Sequence, residues 1–284
     1  IGTGLSGLIG SRVVELLSPR FAFEDLSLDT GVDITNERAV HDRITSSRAP
    51  WVFHFAAKTD VDGAEKERAL GTKSPTWIVN VIATGHVVSV CQETGKRLLY
   101  ISTDYVFDGT SEVYREDATP NPQGWYAVTK YEGEKRVAAL GEKSLIVRIA
   151  NPYRSGGNKP DFVHKIIERL TKGLRLEAPT DQLFVPTFID DIAGAIEVLI
   201  NANASGIYHV VGSQALSPYE AARKIAAAYD LDASLIRETL FEEYIRGRAP
   251  RPKRAVLKND KITKFGIPMH SFDEGLEIIK SKTI

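Results

Sequence analysis

The sequence has almost none of the features that mark secreted, membrane-spanning or disulfide-stabilised proteins. Cys91 is its one cysteine, which excludes an internal disulfide and favours a reducing compartment. No apolar run approaches the ~18 residues of a membrane-spanning helix, and the first residues lack the charged and then apolar pattern of a signal peptide. We therefore expect a cytoplasmic protein with no membrane partner.

Neither sign of charge is in excess. The 36 Lys and Arg residues nearly balance the 37 Asp and Glu residues, and the formal net charge is -1. Such a chain has no general field that would attract nucleic acid, so we expect no nucleic-acid partner. The histidines are scattered without the spacing of metal ligands, and we expect no metal site. They are His41, His54, His86, His164, His209 and His270.

Apolar segments of strand length alternate with helical patterns along the chain, which predicts an α/β fold with a Rossmann-like, doubly wound parallel sheet. The candidate strands are 26–29, 51–57, 97–103, 144–149 and 206–212. Strands become sparser after residue 150, which predicts a dinucleotide-binding domain over 1–150 and a small substrate-binding lobe over 151–284. Segments near 187–212 are expected to return to the first domain. The chain begins at Ile1 rather than Met, so we expect residues upstream and a first strand that is largely absent.

Three helices have readable starts. Ser74 and Pro75 offer a cap and a first-turn proline for a helix that runs to Glu93. Capping boxes begin at Ser217 and Ser271, each followed three residues later by a glutamate.

Glycines near the start of the chain carry the first functional signal. Gly4, Gly7 and Gly10 precede the amphipathic segment SRVVELL, as in the strand-to-helix turn of a dinucleotide fold. A Cβ in this turn would block the approach of the backbone to a pyrophosphate, and the helix start offers free N–H groups. We therefore predict cofactor contacts from these glycines together with Ser6, Leu8 and Ile9.

Two side chains bear on whether the dinucleotide is NAD or NADP. Asp29 lies 19 residues after Gly10, where an acid holds the ribose hydroxyls and disfavours a 2′-phosphate. Arg12, just past the glycines, is either a partner for that phosphate or a solvated helix residue. The cofactor is therefore NADP or NAD, with a lean towards NAD or dual use.

The catalytic signal consists of a strand end and a tyrosine–lysine pair. Ser102 and Thr103 end the apolar strand YIST, so a hydroxyl stands at the carboxyl edge of the sheet, where ligands bind in open α/β folds. Tyr126 and Lys130 are four residues apart, so a helix starting near Tyr126 holds them side by side. The glycine turn, the hydroxyl and the pair together favour a catalytic role for the pair over a coincidence.

Several motifs resemble those of the extended short-chain dehydrogenase/reductases, and within them the dTDP-4-dehydrorhamnose reductase group. They are GTGLSGLIG, FHFAAKTDVDGAE, NVIAT, YISTDYVFDG, YREDATPNPQGWYAVTKYEGE, DQLFVPTFIDDIA and APRPKRAVLKNDKI. The resemblance implies an NAD(P)H-dependent reductase of a nucleotide-linked 4-keto-6-deoxysugar. It implies that Thr103, or its neighbour Ser102, orients the C4 carbonyl and that Tyr126 donates the proton as hydride reaches carbon. Lys130 would lower the pKa of Tyr126 and bind the nicotinamide ribose.

The resemblance also implies roles for residues outside the catalytic group. Cofactor contacts are expected from Asp33, Ile34, Ala56, Ala57, Lys58 and Asn80, besides Ser102, Tyr126 and Lys130. The Asn80 amide either holds backbone near the catalytic hydroxyl or is a buried structural group, and Asp62 and Glu65 are expected in a solvated turn. Substrate contacts are expected from Asp104, Tyr105, Asn151 and Arg251, with Arg251 on the diphosphate.

Departures from the family pattern fall where the nucleotide sugar would bind. Asn151 follows Arg148-Ile-Ala in place of the usual aromatic, Phe184-Val185 replaces Gly-Ser, and Ala255 replaces a serine. These changes leave the base and the sugar open. A sugar-nucleotide epimerase or dehydratase is one alternative, and a non-catalytic subunit resembling the regulatory subunit of methionine adenosyltransferase is another. A homodimer is possible, since the family often dimerises.

Overall fold

The structure, a computed structural model, describes residues 1–156 and 159–282. Its strands are β1 Gly2–Thr3, β2 Asp25–Leu26, β3 Trp51–His54, β4 Arg97–Thr103, β5 Ser144–Ile149, β6 Pro152–Tyr153, β7 Leu176–Pro179, β8 Thr187–Phe188, β9 Gly206–His209 and β10 Ile236–Thr239. Its helices are α1 Leu8–Leu17, α2 Glu37–Ser46, α3 Val61–Lys66, α4 Pro75–Trp77, α5 Ala83–Thr94, α6 Trp125–Ala138, α7 Phe162–Thr171, α8 Ile189–Asn201, α9 Pro218–Ala228, α10 Phe241–Tyr244, α11 Asp260–Thr263 and α12 Phe272–Lys282.

A six-stranded sheet forms the centre of the molecule, in the order β2-β1-β3-β4-β5-β9. Every pairing in it is parallel, so the predicted α/β fold with a parallel sheet is confirmed. The chain passes outward from β1 to β2 and then returns to β3 on the other side of β1. In open parallel sheets, ligands bind at the carboxyl ends of the strands at such a reversal.

Helices cover both faces of this sheet. On one face α1 packs against α8, over an apolar layer that includes Val13, Val147 and Ile196. On the other face α2, α5 and α6 lie over a second layer that includes Val87, Leu98 and Val137. Strands buried on both faces read as continuous apolar runs, which is why 97–103 and 144–149 could be predicted with the bounds observed for β4 and β5.

The remaining elements are built around two small parallel sheets, β6-β8 and β7-β10. Helices α7, α9 and α12 pack near them around a third apolar cluster that includes Tyr153, Phe188 and Phe272. Helix α8 and strand β9 instead join the central layers, through the contact of α8 with α1 and the pairing of β9 with β5. The division at residue 150 stays a prediction.

The predicted strand at 26–29 is wrong. Strand β2 covers Asp25–Leu26, and Leu28–Thr30 form a short 3-10 helix. Ser27 causes the change, because its side chain and that of Thr30 form a reciprocal capping box that starts the helical turn. The predicted runs at 51–57 and 206–212 shorten to β3 and β9, and their last residues continue as loops.

The helix starts follow the predicted caps. Ser74 accepts a hydrogen bond from the Trp77 N–H, and the capping boxes at Ser217 and Ser271 are present. The expected helix from Ser74 is not uniform, because Ile78–Ile82 form a π-helical turn between α4 and α5. Such turns often accompany functional sites, and this one holds a buried asparagine beside the cleft described below.

Cys91 is fully buried in α5, and burial raises the pKa of its thiol to about 12. Its environment is that of a structural cysteine. Across residues 1–156 and 159–282, no helix is long and apolar enough to cross a membrane. The same part of the chain holds no group of three His, Cys, Asp or Glu side chains arranged for a metal ion.

Candidate active site

The glycine turn between β1 and α1 lies at the reversal point of the sheet. Gly4 has the left-handed φ of 66°, and a Cβ on it would come within 2.5 Å of the Ala56 nitrogen. A Cβ on Gly10 would lie 2.3 Å from the Gly4 oxygen. Gly4 and Gly10 are therefore required for packing within the turn, and all three glycines line a cavity in front of it. The predicted contact of these glycines with a pyrophosphate stays a prediction.

The start of α1 is open to an anion. Its N-cap is Gly7, which has no side chain to accept the first N–H groups, in contrast to the side-chain caps of α2, α3, α7 and α9. The uncapped N–H groups and the positive end of the helix dipole point out of the glycine turn. The start of α1, at this edge of the sheet, therefore has N–H groups that can bind a phosphate.

Two cavities adjoin the turn and share Gly4 and Gly7. The larger, which we name the central cleft, has a volume of about 640 Å³. Among the predicted site residues, it is lined by Gly4, Gly7, Leu8, Ile9, Gly10, Ala57, Ser102, Thr103, Tyr126, Lys130 and Asn151. The smaller, which we name the rear cavity, has a volume of about 480 Å³ and is lined by Gly4, Ser6, Gly7, Asp29, Asp33, Ile34, Ala56 and Ala57.

The catalytic candidates come together in the central cleft. Helix α6 begins at Trp125, so Tyr126 and Lys130 lie one turn apart and are only 8% and 3% exposed. The Lys130 ammonium donates to the Ile101 carbonyl at 2.7 Å and lies 4.0 Å from the centre of the Tyr100 ring. Thr103 ends β4, and its hydroxyl donates to the Asp104 carboxylate at 3.0 Å.

Burial controls the protonation of this pair. It raises the pKa of the Tyr126 phenol well above its ordinary value, and the hydrogen bond with Thr103 opposes part of the rise. Burial also lowers the pKa of Lys130 to about 7, against the attraction of Glu134. In this structure the Lys130 ammonium is directed at Ile101 and Tyr100, and its predicted effect on the pKa of Tyr126 stays a prediction. The phenol therefore holds its proton at neutral pH, and a bound positive charge that lowered its pKa would make it a better proton donor.

Two buried polar atoms beside the pair lack partners among the described residues. They are the Ser102 hydroxyl and the Oδ2 atom of Asp104, each on a residue only 2% exposed. Ser102 lines the central cleft, and Asp104 lines the cavity on the other side of Thr103. Burial raises the pKa of Asp104 to about 7, with the hydrogen bond from Thr103 acting in the opposite direction. Buried polar groups of this kind are expected to have partners, which a ligand can supply.

Asn80 and Lys58 were predicted to contact a cofactor, but both side chains point elsewhere. Asn80 is buried in the π-helical turn, accepts the Lys58 N–H at 2.8 Å, and donates to the Lys58 carbonyl and the Thr129 hydroxyl, each at 3.0 Å. The Lys58 ammonium pairs with Glu67. The Asn80 amide therefore ties the loop after β3 to α6, because its three hydrogen bonds satisfy it within the protein.

Asp62 and Glu65 do not form the expected solvated turn. Both belong to α3, and Glu65 accepts the first N–H of α6, from Trp125, at 2.7 Å. Asp62 pairs with Arg251 at 2.8 Å and accepts the Ala249 N–H at 2.9 Å. Helix α3 therefore anchors both the start of the catalytic helix and the loop that carries Arg251.

A third cavity, which we name the front pocket, has a volume of about 260 Å³ and lies beyond Thr103. It contains the predicted substrate residues Asp104, Tyr105, Asn151 and Arg251 and the departures Phe184 and Ala255. Asn151 has the left-handed φ of 40°, which asparagine tolerates better than most residues. Sequence reasoning missed Phe162 and Lys165, which lie outside any motif and line both this pocket and the central cleft.

Arg12 cannot be the partner of a 2′-phosphate in this arrangement. It is 7% exposed, and its guanidinium donates twice to Asp190 at 2.7 Å and once to Glu15. Asp29 is exposed at the rear cavity, in the short 3-10 helix rather than at a strand end. The rear cavity also holds Lys159, which lines the central cleft as well and was not predicted.

A family model described as the RmlD substrate binding domain matches residues 1–283. The chain belongs to the RmlD family. Within this family, a dTDP-4-dehydrorhamnose reductase from Streptomyces griseus is 34% identical over 284 residues, covering 93% of this chain and 87% of the relative. The resemblance seen in the motifs is thereby confirmed.

Two further comparisons show what kinds of protein this chain resembles. The crystal structure of dTDP-4-dehydrorhamnose reductase from Bacillus anthracis in complex with NADP is 33% identical, with a TM-score of 0.88, covering 99% of this chain and 98% of that one. Methionine adenosyltransferase 2 subunit beta from Xenopus laevis is 30% identical over 285 residues, covering 93% of this chain and 81% of the relative. Proteins similar to this chain therefore include one named as a reductase and one named as a subunit of another enzyme.

Proposed function

We propose that this protein is an NAD(P)H-dependent reductase of a nucleotide-linked 4-keto-6-deoxysugar, with dTDP-4-dehydrorhamnose as the first substrate to test. One observation carries the proposal. The Thr103 hydroxyl, the Tyr126 phenol and the Lys130 ammonium line the same cleft as the uncapped start of α1. The proposal places the chain in dTDP-rhamnose biosynthesis, and the lone cysteine is compatible with the cytoplasm.

The residues present fit a dinucleotide. Gly7 and the uncapped start of α1 would hold its pyrophosphate, and Asp29 in the rear cavity would hold the adenosine ribose. The unpartnered Ser102 hydroxyl and Lys130 would hold its nicotinamide end. The bound cofactor supplies a hydride to the sugar carbon. The cofactor is NADP or NAD. The burial of Arg12 against Asp190 favours NAD, because Arg12 is then not available to bind a 2′-phosphate.

The protein's own part in the reaction is to orient the ketone and deliver a proton. Thr103 would donate a hydrogen bond to the C4 oxygen, and Tyr126 would transfer its phenolic proton to the same oxygen as negative charge develops there. Burial keeps Tyr126 protonated until that moment. Lys130, held against the Ile101 carbonyl in the same cleft, would bind the nicotinamide ribose and, with the cofactor bound, favour the loss of the phenolic proton.

The alternatives differ in what happens after cofactor binding. An epimerase or dehydratase would keep its dinucleotide and regenerate it, so no net oxidation of NADH or NADPH would be seen. A non-catalytic regulatory subunit, the alternative suggested by the similarity to methionine adenosyltransferase 2 subunit beta, would bind a partner and turn over no sugar nucleotide. The shared cleft of Thr103, Tyr126 and Lys130 favours an enzyme over a binding subunit, because a binding subunit needs no proton donor there.

The deciding experiment follows the absorbance of NADH and NADPH with the purified protein and dTDP-4-dehydrorhamnose, with its C3/C5 epimer dTDP-4-keto-6-deoxyglucose as a second substrate. Turnover should fall by about 10²- to 10⁴-fold in Tyr126→Phe, which removes the proton donor. Tyr131→Phe is the matched control, since Tyr131 lies on the same helix but lines none of the three cavities. Cofactor binding without turnover on either sugar would reject the reductase and direct attention to the alternatives.

A further inference from the structure

The central cleft and the front pocket meet at one short stretch of wall. Three residues line both cavities: Asn151 after β5, and Phe162 and Lys165 on the first turns of α7. A ligand that reacts in the central cleft and extends into the front pocket must pass these three side chains. Lys165 supplies the positive charge at the junction.

The Lys165 ammonium has no hydrogen-bond or ion-pair partner within residues 1–156 and 159–282, and its residue is exposed. Lys159 lines the central cleft but not the front pocket, and two other cations that line the cavities already have partners. Lys130 donates to the Ile101 carbonyl, and Arg251 pairs with Asp62 and donates to the Ala249 carbonyl. Lys165 is therefore available to an incoming anion without breaking an existing contact.

The chemistry of the substrate places its anion at this junction. The reacting C4 atom must lie beside Thr103 and Tyr126, while the diphosphate is attached at C1, on the far side of the sugar ring. The nucleoside then continues into the front pocket, whose walls include the apolar side chains Phe162, Ile166 and Phe184. The diphosphate consequently falls between the two cavities, where a free ammonium can form charge-assisted hydrogen bonds.

We propose that Lys165 is the residue that binds the diphosphate of the nucleotide sugar. This inference rests on the proposed function and replaces the expectation that Arg251 does so alone. Arg251 has its charge compensated by Asp62, so it contributes less net attraction than its position suggests. The carboxylate of Glu177, on the wall of the front pocket, repels the diphosphate and lowers the affinity for it.

Isothermal titration calorimetry of the full chain, saturated with NADP⁺, tests the proposal. The three probes are thymidine, dTMP and dTDP, and the corresponding uridine series is measured in parallel. In the wild type, affinity should rise with each phosphate. In Lys165→Gln, dTDP should bind about tenfold more weakly while thymidine binding stays unchanged. Lys172→Gln, at the C-cap of the same helix and paired with Glu168, should bind all three as the wild type does.

Kinetics supply an independent readout. Lys165→Gln should raise the KM for the sugar nucleotide about tenfold and leave kcat within about twofold, since the diphosphate does not react. Equal dTDP binding by the wild type and Lys165→Gln would overturn the assignment, and a loss confined to Arg251→Gln would transfer it to Arg251. A wild type that binds no nucleotide of either series and reduces no 4-keto sugar would overturn the proposed function itself, and this inference with it.

Discussion

Asn80 offers a direct test of how the cleft is held together. Its amide is 1% exposed and makes three hydrogen bonds, two to the backbone of Lys58 and one to Thr129. Truncation in Asn80→Ala removes all three and leaves the Lys58 N–H and carbonyl unpaired. At about 1 kcal/mol for each buried hydrogen bond, the free energy of unfolding should fall by about 3 kcal/mol.

The functional effect of Asn80→Ala should fall on the cofactor. Lys58 lies between Ala57 and Thr59, both of which line the central cleft, so a loosened loop should raise the KM for the dinucleotide more than it lowers kcat. Urea unfolding followed by circular dichroism measures the stability change. Asn36→Ala is the control, because that exposed N-cap asparagine accepts one hydrogen bond and its loss should cost about 1 kcal/mol. If the two variants lose the same stability and the KM is unchanged, Asn80 does not support the cleft.

Two further predictions concern the glycine turn and the buried acid. Gly4→Ala should weaken dinucleotide binding severely, because the φ of 66° and the 2.5 Å approach to the Ala56 nitrogen both forbid a Cβ. Fluorescence titration with NADPH measures the loss of affinity. A variant that binds NADPH as tightly as the wild type would contradict the packing argument. Asp104 has a folded pKa raised from 3.8 to about 7, so its contribution favours the folded state at low pH and is lost as the pH rises from about 4 to 7. Asp104→Asn should therefore gain stability over the wild type across that window, by up to roughly 4 kcal/mol in urea unfolding at pH 7, and a difference that does not change with pH would reject it.

What the sequence predicted well depends on local patterns. Strands β4 and β5 are buried on both faces, and the helix caps at Ser74 and Ser217 use neighbouring side chains, so each is readable within a few residues. The glycine turn and the tyrosine–lysine pair belong to the same kind of short-range signal. Their residues reach one cleft because parallel strands end at the same edge of the sheet.

What the sequence missed depends on partners that are distant along the chain. The sequence leaves Arg12 as a candidate phosphate ligand, but in the structure its guanidinium pairs with Asp190, 178 positions away. Asp62 was assigned to a solvated turn because nothing nearby signals its contact with Arg251, 189 positions away. The position of Lys165 is hidden from the sequence for the same reason, since it depends on how α7 packs against α9, β6 and β7.

The anchoring role of α3 constrains any attempt to change the substrate by exchanging loops. One short helix, Val61–Lys66, bonds through Glu65 to the start of α6 and through Asp62 to the segment at Ala249 and Arg251. A specificity loop transplanted from another sugar-nucleotide enzyme into 248–254 would arrive without its matching acid. Chimeras of this protein should therefore exchange α3 and the loop together, so that the foreign loop keeps its position relative to α6.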